Sequence, residues 1–157
     1  MTRYPLHEQL LDSKALHLTH KANATFLLPQ SYPEGCPLHP SYPSGHAVLA
    51  GAGATILKTF FDEDFVLPKP VIPTPDGRSL LPLKGAALTV GDELNKLAAN
   101  IAFGRNFAGI HWRSDALEGL RLGENVAIAL LQDMKMTLTE TNAGFRFTKF
   151  DGSRLEV

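Results

Sequence analysis

The sequence predicts a mainly α-helical bundle interrupted by long proline-rich loops and short β-hairpins. Three observations carry that prediction. Apolar residues recur at steps of three and four over about 45–61, 92–109 and 115–138, the spacing that puts them on one face of a helix. Prolines crowd 27–43 and 66–83, where a fixed φ and a missing amide donor work against helix. Two Asp-Gly pairs, at 76–77 and 151–152, stand between short apolar or aromatic runs, as hairpin turns do.

Taken in order, LLPQSYPEGCPLHPSYP at 27–43 holds five prolines and one glycine and reads as an irregular, partly extended lead-in. Ser44 then stands where an N-cap belongs, before a helix at 45–61 whose Val48, Leu49, Ala52, Ile56, Leu57 and Phe60 recur at helical spacing. Ala47, Ala50, Gly51, Gly53 and Ala54 leave faces of that helix on which another backbone can come close. In the second helix Leu94, Leu97, Ala98, Ile101 and Ala102 form a stripe that ends in Arg105, a charge on an otherwise apolar face that calls for an explanation. Asp115, followed by Glu118, resembles a capping-box start for a third helix reaching about Leu138, with Leu117, Leu120, Val126, Ile128, Leu130 and Leu131 on its apolar positions. Phe145, Phe147 and Phe150 then lead into the terminal hairpin.

A chain of 157 residues is long enough for one domain with a real core and short for two, so 1–157 is expected to be a single domain. At 44% hydrophobic and 20% charged it is neither an extended disordered chain nor a membrane protein, and no apolar run is long enough for a span. A formal net charge of −1 gives no general attraction to nucleic acid, so any anion must be held by a local arrangement of donors. The lone Cys36 forms no internal disulfide. Residues 1–20 carry Arg3, His7, Glu8, Asp12 and Lys14 and are not a signal peptide; export to a periplasmic or extracellular location would need a signal further upstream.

The chemistry concentrates in two places. Pro43-Ser44-Gly45-His46 opens a helix, where free amides and the positive end of the dipole make an anion site. Gly45 admits an oxyanion close to the backbone, Ser44 adds a hydroxyl, and His46 is placed to give or take a proton. The segment from Arg105 to His111 adds a permanently charged guanidinium with paired donors. It also adds an imidazole that can ligate a metal centre or attack phosphorus, with Gly109 turning the chain between them. Asp115 is spaced to accept from His111 Nδ1 and leave Nε2 free, and equally to cap the helix. All of this requires the start of one helix and the end of another to converge on one tetrahedral guest.

P-S-G-H followed by R-x5-H resembles the family formed by vanadium-dependent haloperoxidases and type 2 phosphatidic acid phosphatases. The stretches LLPQSYPEGCPLHPSYPSGHA and LNKLAANIAFGRNFAGIHWRSD, with Gly104 before the arginine, look most like its algal-type bromoperoxidase branch. The resemblance implies a helical bundle of the acid phosphatase/vanadium haloperoxidase type that binds vanadate, with phosphate or sulfate able to occupy the same pocket. It implies His111 as the vanadium ligand, Ser44, Gly45 and Arg105 as oxyanion donors, and His46 as acid/base. His39, seven residues before His46, matches a pocket histidine of the bromoperoxidase branch. The implied partners are hydrogen peroxide, a halide with bromide preferred, and a small organic substrate; a truncated helical core that leaves an apolar face uncovered is expected to self-associate as a homo-oligomer.

The family's K-x6-R-P motif, which supplies two further cations, is not in this sequence, so the chain reads as the C-terminal part of a larger haloperoxidase-like helical domain. With a single arginine, a multiply charged vanadate would be poorly compensated and bound weakly. The rival readings are an acid phosphatase of the same superfamily, working through a phosphohistidine at His111, and a non-catalytic remnant or assembly subunit. A zinc site from His17, His20, Cys36 and His39 has no recognisable ligand pattern. GAGA at 51–54 lacks the Gly-Lys-Ser/Thr of a phosphate loop.

Overall fold

The structure is a computed structural model that describes residues 8–26, 37–85, 87–140 and 144–157. Two helices not foreseen in the sequence open it: α1, Glu8–Leu11, and α2, Lys14–Asn23. The signal for α2 was Ser13, whose hydroxyl oxygen accepts from the Leu16 amide at 3.3 Å. Three long helices follow: α3, Gly45–Phe60; α4, Val90–Phe107; and α5, Arg113–Lys135.

Each long helix begins where a side chain satisfies an orphan amide. Ser44 accepts from Ala47, and Thr89 accepts from Asp92. At α5 the expected start is corrected. Asp115 is not the cap but the third helical residue, and its Oδ2 accepts from the amide of the capping Trp112 at 3.2 Å. The helix ends at Lys135 rather than near Leu138.

The core follows the small residues of the helices rather than the large apolar ones. On α3 the buried positions are Ala47, Gly51, Ala54, Thr55 and Lys58, whereas Leu49 is 77% and Phe60 80% exposed. On α5 the buried face includes Ala116, Gly119, Gly123, Ala127 and Leu131, with Val126 and Leu130 half exposed. The reason is the closeness of the helices. A Cβ placed on Gly123 would stand 2.1 Å from the Val48 carbonyl oxygen, and one on Gly119 would stand 2.7 Å from the Ala47 Cβ. Only small residues fit that seam, so the larger ones are turned outward. Ala47, Ala102 and Ala116 make its centre, with Phe103 and Leu120 packed against them.

Both expected hairpins are present: β1, Val71–Pro73, pairs antiparallel with β2, Leu80–Pro82, and β3, Arg146–Thr148, with β4, Arg154–Glu156. The terminal hairpin docks through Phe147, which is fully buried with Leu131 and Val157. A polar clasp surrounds that plug. Lys58 Nζ donates to the Thr148 carbonyl and lies 4.6 Å from the Phe150 ring centroid, Glu124 accepts from the Phe150 amide at 2.7 Å, and Glu63 accepts from the Thr148 hydroxyl at 2.8 Å. Burial pushes the Lys58 ammonium below its ordinary pKa, while Glu124 and Glu63 partly restore it. Among the described residues no helix is long and apolar enough to cross a membrane.

Candidate functional site

α4 must stop and reverse for Arg105 and His111 to share a neighbourhood, and the chain does this with a Schellman turn. The Gly109 amide donates to Asn106 O at 3.0 Å and the Ile110 amide to Arg105 O at 3.0 Å, with Gly109 at φ 79°, where a side chain would be strained. The His111 amide also donates to the Arg105 carbonyl, at 3.3 Å, so the two residues are tied through the backbone. Arg105 is only 7% exposed and sits in the last turn of α4, where a cation complements the helix dipole.

His111 leads into α5 through Asp115. Its Nδ1 lies 3.2 Å from Asp115 Oδ2, with both side chains 4% exposed. The same carboxylate accepts from the Trp112 amide, the Ser114 hydroxyl and the Ser41 hydroxyl. Burial pushes the Asp115 carboxyl up, but these donors outweigh it and hold the group below the ordinary carboxylate range. An ionised Asp115 favours a proton on Nδ1 of His111, which leaves Nε2 with its lone pair.

The link to α3 is equally direct. The Ser44 amide donates to the Asp115 carbonyl oxygen at 3.0 Å, and Gly119, one turn further along α5, has no side chain to push the Ser44 carbonyl away. Ser44 is wholly buried, and its hydroxyl oxygen takes the Ala47 amide at 3.4 Å while keeping its own proton to donate. Gly45 and His46 occupy the exposed positions of the first turn, whose amides have no acceptor within the helix. A Cβ built on Gly45 meets nothing within 4 Å, so open space adjoins the backbone there.

Main-chain hydrogen bonds therefore place Ser44 beside Asp115 and His111 beside Arg105, the His111–Asp115 side-chain contact links the two pairs, and Gly45 and His46 lie on the exposed side of the same helix start. His39 is exposed, with Nδ1 2.9 Å from the Pro40 carbonyl. Ser41, which sequence reasoning passed over, joins them through Asp115; its position beside the P-S-G-H motif was the one available signal. The zinc alternative gains nothing: Cys36 lies outside the described residues, and His20 stacks on Phe26 at 4.3 Å between ring centroids.

The group types present, a buried guanidinium, a hydroxyl, first-turn amides and an imidazole, are ones that can donate to or ligate a small oxyanion.

The profile of the VCPO second helical-bundle domain matches residues 19–140. A vanadium-dependent bromoperoxidase of Corallina officinalis is 50% identical over 135 residues, 85% of this chain and 22% of that protein. One of Ascophyllum nodosum is 46% identical over 136 residues, 85% of this chain and 24% of that protein. The homohexameric structure of the second vanadate-dependent bromoperoxidase of Ascophyllum nodosum superposes with a TM-score of 0.83 at 30% identity, covering 100% of this chain and 33% of that one. The chain spans less than a quarter of the length of these curated relatives. With a buried Arg105–His111–Asp115 set beside the P-S-G-H helix start and a profile match over most of its length, the chain belongs to the family of the VCPO second helical-bundle domain.

Proposed function

We propose that this chain carries the vanadate site of a bromoperoxidase-like enzyme. The observation that supports it most is the hydrogen-bonded set in which Asp115 meets the Ser44 amide through its carbonyl and His111 Nδ1 through its carboxylate, beside the buried Arg105. Arg105, the Ser44 hydroxyl and the Gly45 amide hold the oxyanion, and His111 Nε2 is its protein ligand. Asp115 keeps the proton on Nδ1 and so fixes which nitrogen faces the guest. His46, on the open side of the first turn, moves protons between the site and solvent. His39, exposed on the lead-in to α3, is the candidate for the halide side of the site. Vanadate held there would supply the Lewis acidity for hydrogen peroxide to oxidise a halide, with a small organic molecule as the halogen acceptor. Like the hexameric relative, the chain self-associates.

The His111–Asp115 pair would serve equally well in an acid phosphatase, where Nε2 attacks phosphorus and His46 protonates the leaving oxygen. Identities of 46–50% to bromoperoxidases favour the haloperoxidase reading. Bromination of monochlorodimedone with vanadate and peroxide, set against hydrolysis of p-nitrophenyl phosphate on the same preparation, separates the two. Vanadate binding, followed by vanadium NMR at millimolar vanadate, is expected to weaken at least about tenfold in Arg105→Ala and in His111→Ala, since each removes a charged or coordinating partner. Binding unchanged in both variants overturns the assignment, and an oxyanion that never binds supports a non-catalytic assembly subunit.

A further inference from the structure

Asp115 has two duties that ask different things of its carboxylate. As the third residue of α5 it accepts from the amide of the capping Trp112, and as the partner of His111 it accepts from Nδ1. Both contacts fall on Oδ2, each at 3.2 Å. That is the long end of an ordinary N–H···O bond, so neither donor by itself fixes the carboxylate. The helix cap needs only the Trp112 amide, and a carboxylate turned fully to that amide would leave Nδ1 without its acceptor. The Ser114 hydroxyl, 3.2 Å from Oδ1, comes from the adjoining residue of the same helix and stands at an exposed position.

The Ser41 hydroxyl reaches the same carboxylate from the lead-in to α3 and is half-buried. Among the described residues it is the one donor to that carboxylate from outside 111–115. Three residues on, the Ser44 amide donates to the Asp115 carbonyl oxygen at 3.0 Å, so the lead-in grips Asp115 by its main chain and by its side chain. We infer that Ser41 is a positioning residue for the vanadate site, holding the Asp115 carboxylate on His111 Nδ1 as well as on the helix cap. The side chains of His111 and Asp115 are each only 4% exposed, so little solvent is at hand to replace a lost donor. Ser41 acts through Asp115 and His111 and does not touch the guest. Its service to vanadate rests on the function proposed above, whereas its grip on Asp115 and His111 is a property of the chain by itself.

The test uses the full chain labelled with 15N-histidine, with the His111 signals assigned by their loss in His111→Gln. The 15N shifts of the neutral ring report which nitrogen carries the proton. Without vanadate, the wild type is expected to hold it on Nδ1. In Ser41→Ala the ratio of the Nδ1–H to the Nε2–H form should fall at least about fivefold, because the carboxylate is freed to serve the cap alone. Ser41→Thr keeps the hydroxyl and should restore the ratio. Ser114→Ala, which removes a hydroxyl from the same carboxylate but not the link between segments, should change it less than about twofold. Vanadate binding, followed by vanadium NMR, should weaken about tenfold in Ser41→Ala, the lower end of the loss expected when an outer partner of a ligating histidine is disturbed. Helical circular dichroism checks that each variant folds. A wild-type tautomer ratio in folded Ser41→Ala overturns the positioning role, and so does an equal shift in Ser114→Ala. A shifted ratio in a chain whose wild type binds no vanadate supports the grip of Ser41 on Asp115 and overturns the vanadate reading instead.

Discussion

Replacing Gly119 by alanine tests the geometry on which the site depends. A Cβ there would lie 2.7 Å from the Ala47 Cβ and 2.8 Å from the Ser44 carbonyl oxygen, where ordinary contact begins near 3.4 Å. The start of α3 must therefore move away from α5 by about 0.6 Å, and both neighbours are at the core, with Ala47 and Ser44 fully buried. Overpacking of this kind costs about 1–3 kcal/mol, and the better helix propensity of alanine returns about 1 kcal/mol. The net expectation is a loss of up to about 2 kcal/mol in urea denaturation, or a fall of up to roughly 8 °C in Tm, against the gain expected of the control. Gly104→Ala on α4 is the control, because nothing lies within 4 Å of its Cβ position. It should gain up to about 1 kcal/mol from the same chemical change. The displaced Ser44 should also weaken vanadate binding about tenfold or more in Gly119→Ala and leave it unchanged in the control. If Gly119→Ala proves as stable as Gly104→Ala, the close approach of α3 and α5 is wrong, and the convergence of Ser44 on Asp115 falls with it.

Two further tests follow from the buried charges. The Asp115 carboxyl is held below its usual range in the fold, so its contribution to stability is complete above the unfolded value of 3.8 and disappears as pH falls through the lower folded value. Asp115→Asn should lose stability at neutral pH and lose acid sensitivity below about pH 4, and urea melts across pH 2–7 showing parallel curves for the two proteins would contradict this. The Lys58 ammonium is disfavoured by burial, so the unfolded chain binds more protons between the lowered folded pKa and 10.5, and stability rises with pH across that window. Lys58→Met should abolish this rise. It should also destabilise the chain by about 3 kcal/mol at neutral pH, because Glu63, Glu124 and the Thr148 carbonyl lose their buried cation; equal melting of the two proteins at pH 7 would remove the clasp from the account.

The helices were legible because amphipathic spacing and capping residues are local signals: Ser44 and the alternation after it place α3 almost to the residue. The start of α5 was misplaced because Asp115 satisfies a capping pattern from either of two positions, and only the path of Trp112 decides between them. On α3 the small residues Ala47, Gly51 and Ala54 marked the face that another helix touches, while Leu49 and Phe60, which also keep helical spacing, were left exposed. Ser41 was invisible because its link to Asp115 crosses more than seventy residues of chain.

From residues alone came the helical class, both hairpins, the Ser44-capped start of α3 and the chemical types at Arg105 and His111, all of which follow from short-range spacing. Which surfaces became core, and the joining of Ser44, Asp115, His111 and Arg105 into one neighbourhood, were decided by packing. Glycine at 119 and 123 lets two helices approach until only alanine and backbone fit between them, and that distance is a property of the pair of helices rather than of either one.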